Sequence, residues 1–135
     1  MSAEENKALV RHVVEYWNQR DLDGYLSLLA PEYVEHLPDG DVRLEELKQY
    51  AGTFFNAFPD IKFTIEDIVA EGDMVAVRIR WRGTHRGEFM GISPSGNKIN
   101  ITNAIFIKIA NGKWREFWNV TDVGLLRQIA TGMTG

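Results

Sequence analysis

The chain has 135 residues, 44% of them hydrophobic and 25% charged, enough material for one hydrophobic core and too little for two. A net charge of -4 supplies no basic field to gather phosphates, so neither nucleic acid nor an anionic membrane surface is an expected partner. The absence of cysteine removes disulfides, thiolate nucleophiles and thiolate metal sites together.

In chain order, Ser2 and Glu5 stand in capping-box spacing, and Leu9, Val10, Val13, Val14 and Trp17 recur at three and four residues, which predicts a first helix. No apolar h-region precedes it and no stretch approaches the roughly 20 apolar residues of a bilayer span, so a cytoplasmic protein is expected. Asp21 is placed to cap a short second helix with Leu22, Tyr25, Leu26 and Leu29, and Pro31 is expected to stop it. Tyr33 to His36 reads as a short extended piece, followed by the turn-rich Pro38-Asp39-Gly40-Asp41. From Leu44, the apolar positions Leu47, Ala51, Phe54, Phe55 and Phe58 share one helix face, and Pro59 ends it.

After Pro59 the apolar period changes from helical to two. Ile61, Phe63 and Ile65 alternate with polar neighbours, Glu71-Gly72-Asp73 turns the chain, and Val75, Val77, Ile79 and Trp81 alternate with Arg78, Arg80 and Arg82. Residues 86–97 read as a Gly- and Pro-containing loop, and a third strand is expected over 98–110. Asn111-Gly112 is a strong hairpin signal because both central positions of a type I′ turn need positive φ, and it leads into a strand over 114–120. Thr121-Asp122-Val123 then opens a closing helix. Helices first and strands later predict a single α+β domain over residues 1–135, a curved antiparallel sheet rolled around helices into a cone with a cavity at its wide end.

Several segments, in this order and spacing, resemble the SnoaL-like polyketide cyclase family of the cone-shaped NTF2-like superfamily. They are Tyr16-Trp17-Asn18-Gln19, the run Leu29 to His36, Ala57-Phe58-Pro59-Asp60, the run Gly83 to Ile92, Asn111-Gly112-Lys113 and Gly124 to Ile129. The resemblance implies a cofactor-free enzyme that closes a ring by intramolecular aldol condensation, and a homodimer formed through the sheet. It places the family's acid at Asn119, a second family position at Ile105 and that position's polar neighbour at Asn103. An amide does not titrate, so Asn119 can donate a hydrogen bond to an enolate oxygen but cannot abstract a proton.

Strand parity supplies an expected pocket lining independently of any family. Asn103 and Ile105 share a face with Ile107, Phe117 shares one with Asn119, and Trp81 joins Phe63 and Ile79, with Trp17, Phe54 and Phe58 contributed by helices. The same residues are equally what a solid core would contain. Three groups are candidates for proton transfer: Asp122, which also has the grammar of a helix N-cap, His85 at a strand end beside a Gly-rich loop, and His36 beside a turn. No metal site is expected, since no histidine pair or carboxylate cluster has ligand spacing, and no Gly-x-Ser-x-Gly elbow or phosphate loop is present. The sequence therefore predicts a cavity for a small apolar organic molecule with cofactor-free acid–base chemistry. A binder that has lost its acid, and an interaction domain working through its sheet, are the alternatives.

Overall fold

The computed structural model of the chain describes residues 2–37, 40–121 and 124–131. Its elements are α1 (Ala3–Asn18), α2 (Leu22–Ser27), β1 (Leu29–Leu37), β2 (Gly40–Arg43), α3 (Leu44–Ala57), β3 (Lys62–Glu71), β4 (Met74–Thr84), β5 (Lys98–Ala110), β6 (Lys113–Thr121) and α4 (Gly124–Thr131). The strands form one sheet in the order β2-β1-β6-β5-β4-β3.

The long helix α1 begins where the capping box says it should: Ser2 Oγ accepts the Glu5 N–H, and the Ser2 N–H donates to Glu5 Oε1, both at 3.1 Å. Its apolar stripe is buried from Leu9 to Trp17. Two asparagines on the same helix stitch it to the β3–β4 hairpin. Asn6 Nδ2 donates to the Gly72 carbonyl, while Asn18 both donates to the Phe63 carbonyl at 2.9 Å and accepts the Phe63 N–H at 2.8 Å. Asn18 thereby satisfies backbone groups on the free edge of β3, the last strand of the sheet. Gln128 of α4 makes the same two-way bond to the backbone of Asn100, beyond the point where β6 stops pairing with β5.

From β3 to β6 the chain is an antiparallel meander. Along β5 the residues Ile99, Ile101, Asn103, Ile105, Ile107 and Ile109 are buried while their neighbours are not, so one face of the strand carries the core. The β5–β6 turn has φ of 52° at Asn111 and 72° at Gly112, the two left-handed residues that a type I′ hairpin requires.

The segment from Leu29 to Arg43 differs from its sequence expectation. Helix α2 stops at Ser27, and Leu29 opens a nine-residue strand instead of closing a helix turn. The cause lies far along the chain: Leu29 is captured by Trp114 of β6, and the Trp114 N–H donates to the Leu28 carbonyl at 3.0 Å. Pro31, expected to end a helix, sits inside β1 where the pairing with β6 slips between Leu29 and Val34, so its missing N–H costs no ladder bond. The pairing of β1 with β6 is parallel, the one parallel pair among the described strands. Gly40 and Asp41, expected in a turn, instead open the short strand β2, which runs to Arg43 and pairs antiparallel to β1. Among the described residues no helix is long and apolar enough to cross a membrane.

Candidate active site

A cavity of about 130 Å³ lies between helices α1 and α3 and the buried face of the sheet. Trp17, Phe54, Trp81, Asn103, Ile105, Phe117 and Asn119, all expected at a pocket, line it. Trp17 is set by α1 and lies parallel to Phe63 of β3 with ring centroids 5.0 Å apart, while Phe54 of α3 meets Trp81 edge-on. Phe58 is fully buried but is not a lining residue; it packs on Trp81, His85 and Phe89.

The register of the sheet explains how the polar groups meet. Ile105 on β5 stands opposite Asn119 on β6, so Asn103, two residues away on the same face, is the diagonal neighbour of Asn119. Asn103 Nδ2 donates to Asn119 Oδ1 at 3.2 Å. On the other side of β6, Glu35 of β1 is in register with Phe117.

Glu35 lines the cavity, is only 4% exposed, and is the one carboxylate among the described lining residues. Burial pushes its carboxyl up to about 7, against hydrogen bonds from Tyr33 and Asn119 that favour the ionised form. The Tyr33 hydroxyl donates to Glu35 Oε1 at 3.4 Å, a long bond, and Tyr33 and the lining residue Tyr25 both have phenols that burial raises. A carboxylate in this position is partly ionised at neutral pH and weakly solvated, which are the two properties of an effective general base.

Sequence reasoning did not single out Glu35, although a signal for it existed. Tyr33, Glu35 and Leu37 alternate along a strand with Val34 and His36, and an acid flanked on its own face by two large apolar residues is an acid that faces a core. Reading the piece as four residues beside a turn hid that pattern.

Of the three expected proton-transfer groups, the two histidines do not line the cavity. His36 is on the opposite face of β1, where Nδ1 is 3.0 Å from Asp41 Oδ1 and Nε2 is 2.7 Å from Glu116 Oε1, with the ring stacked on Trp118. Hydrogen bonding to Glu116, helped by Asp41, raises its pKa. His85 is fully buried but is not a lining residue. Its Nδ1 accepts the Ser95 N–H at 3.2 Å and lies 2.9 Å from Ser95 Oγ, so it anchors the loop between β4 and β5. Asp122 lies outside the described residues. Among the described residues no group of three or more histidines and carboxylates could hold a metal ion.

Three lining residues also carry a buried polar atom with no hydrogen-bond partner among the described residues: Trp17 Nε1, Trp114 Nε1 and Asn103 Oδ1.

A curved six-stranded sheet folded over helices is an α+β architecture, and the chain shares its fold with an NTF2-like protein from Burkholderia pseudomallei. The chain belongs to the SnoaL-like polyketide cyclase family, whose sequence profile matches residues 7–129. Among solved structures it is similar to AclR from Streptomyces galilaeus, a proposed hydroxylase, at 31% identity over 99% of this chain and 85% of that one, with a TM-score of 0.87. It is also similar to IdmH from Streptomyces antibioticus, a proposed polyketide cyclase, at 30% identity over 93% of this chain and 99% of that one, with a TM-score of 0.81. A SnoaL-like protein from Jannaschia sp. CCS1 shares the fold at 20% identity, over 98% of this chain and 95% of that one, with a TM-score of 0.87. No curated protein matches the sequence.

Proposed function

We propose that this protein is a cofactor-independent acid–base enzyme acting on a small, largely apolar and enolisable organic molecule, with Glu35 as the general base. The observation that carries this reading is a single buried carboxylate on an apolar cavity wall, raised to about 7. In the ring-forming version, the Glu35 carboxylate removes a proton from a carbon beside a carbonyl, and the C–H electron pair moves into the enolate. The enolate carbon then bonds to a second carbonyl of the same molecule, and the resulting alkoxide takes a proton back from Glu35. Isomerisation needs only the first half of this sequence, with reprotonation at another carbon. The unpartnered indole donors of Trp17 and Trp114 favour a substrate bearing oxygen over a bare hydrocarbon.

A generic probe tests the base without the natural substrate. In 5-nitrobenzisoxazole a carboxylate removes the C3 proton, the N–O bond breaks, and the electron pair ends on a coloured cyanonitrophenolate. The wild type is expected to catalyse this with an acidic limb near the Glu35 value, and Glu35→Gln to lose about 100-fold or more in kcat/KM. A Glu35→Gln variant as active as the wild type would refute the assignment.

A second reading, a binder without turnover, is favoured by the amide of Asn119, which stands where the family resemblance puts an acid. It predicts probe binding with no Glu35-dependent elimination.

Pairing of two copies through the outer sheet face belongs to the same proposal. On that face Phe106 lies opposite Trp118 and Ala104 opposite Val120, with Phe106 and Val120 exposed, beside the ion pairs of Arg78 with Asp67 and Arg80 with Glu66. A one-chain mass by light scattering at tens of micromolar would end it.

A further inference from the structure

We infer that Asn119 and Asn103 are positioning residues for Glu35, holding its carboxylate at one place in the cavity and controlling how firmly it keeps a proton. The inference rests on the reading of Glu35 as the base. Three adjacent strands, β1, β6 and β5, each send one hydrogen-bonding amide or carboxyl to the same apolar wall, and these are the only side chains of that kind among the described lining residues.

The direction of the chain of bonds follows from elementary chemistry. An ionised carboxylate has only acceptors, so Asn119 turns its Nδ2 toward Glu35. Its Oδ1 is then left to face β5, where Asn103 presents Nδ2 to it at 3.2 Å. Asn103 Oδ1 ends the series without a donor among the described residues. Both amides are therefore aligned for the charged form of Glu35 and oppose the burial that disfavours it. Removing either amide makes the proton harder to remove.

The position of the wall, more than the choice of strand, makes the base. Because the side chains of residues 35 and 119 meet, a carboxylate at 119 with an amide at 35 reproduces the same pair with its members exchanged. The cavity is expected to accept that exchange.

The test measures pH–rate profiles for elimination of 5-nitrobenzisoxazole, together with the carboxyl carbon titration of Glu35 by NMR. Asn119→Ala is expected to move the acidic limb and the NMR titration alkaline together, by about half a unit or more. Asn103→Ala is expected to move both less, in the same direction, because it only frees Asn119 to rotate. Asn119→Asp is expected to move the limb by about a unit or more, since two carboxylates then share one site and retain a proton between them. The exchanged double variant Glu35→Gln/Asn119→Asp is expected to recover to within about tenfold of the wild type, where Glu35→Gln alone loses about 100-fold or more.

An Asn119→Ala limb that superimposes on the wild type overturns the inference. So does a double variant that melts cooperatively yet stays as inactive as Glu35→Gln. In both cases the role of Glu35 survives; a Glu35→Gln variant with wild-type activity sinks the base assignment and this inference together. If Asn119→Ala does not fold, Asn103→Ala and the double variant decide the matter by the same criteria.

Discussion

Glu35 and His36 are neighbours in sequence and occupy opposite sides of one strand, and both have proton affinities above their ordinary values for unrelated reasons. Glu35 is lifted by burial in a cavity whose described lining residues include Trp17, Phe117 and Ile105 and no cation, and the hydrogen bonds from Tyr33 and Asn119 offset that burial only in part. His36 is lifted mainly by hydrogen bonding to Glu116 and also to Asp41, on the half-exposed outer face. The inner group is destabilised when it ionises, which suits the proposed role of a base toward a C–H bond. The outer group is stabilised when it is charged, and it ties β2, β1 and β6 together as a clasp. A raised pKa alone does not mark a catalytic group; the sign of the energy on ionisation separates the two.

The largest effect that could break this comparison is in the stability of Glu35→Gln. The folded value of about 7 lies above the ordinary glutamate value of 4.5. Between the two the native state holds more protons than the unfolded chain, so wild-type stability falls as pH rises through that window and stays reduced above it. Glu35→Gln is expected to be more stable than the wild type at about pH 8 by on the order of 2–3 kcal/mol, and nearly equal to it at about pH 4. Denaturant melts at the two pH values check this, and an equal loss at both would mean that Glu35 serves only to fill space.

A smaller effect is expected on the outer face. The contribution of His36 is fully present below its unfolded pKa and is lost as pH rises through its raised folded value. Replacing it, as in His36→Gln, should flatten that part of the melting-temperature curve. The change should shrink in high salt because the pairs are half-exposed, whereas the Glu35 effect should not. Insensitivity to salt would show that the clasp is not electrostatic.

The smallest effect on the fold itself is expected at Phe106→Glu, which should leave chain stability within about 0.5 kcal/mol while separating the proposed sheet-face pair into single chains. A dimer that persists would place the contact elsewhere.

Much of this arrangement was legible in the residues. The capping box at Ser2, the change of apolar period after Pro59, the Asn111-Gly112 turn and the alternation along β5 are local signals, and each corresponds to the element found. Parity also assigned Asn103, Ile105, Phe117 and Asn119 to the inner face, because a strand exposes its period regardless of its partners. Leu29 and Pro31 were misleading, since their helical grammar is weaker than the pull of a strand that only the far end of the chain supplies. The histidines drew attention through their ordinary pKa, a property of the residue type that says nothing about which side of a strand it occupies.

By itself, then, the sequence determined the order of the helices and of the long strands β3 to β6, the facing of those strands and the α+β class, because these depend on spacing that each segment carries within it. Only the tertiary structure decided that Glu35, and not one of the histidines, faces the cavity. That outcome required β1 to pair in parallel with β6 and place residue 35 beside Asn119, and the proton affinity of a carboxyl is fixed by the dielectric and donors that surround it in space.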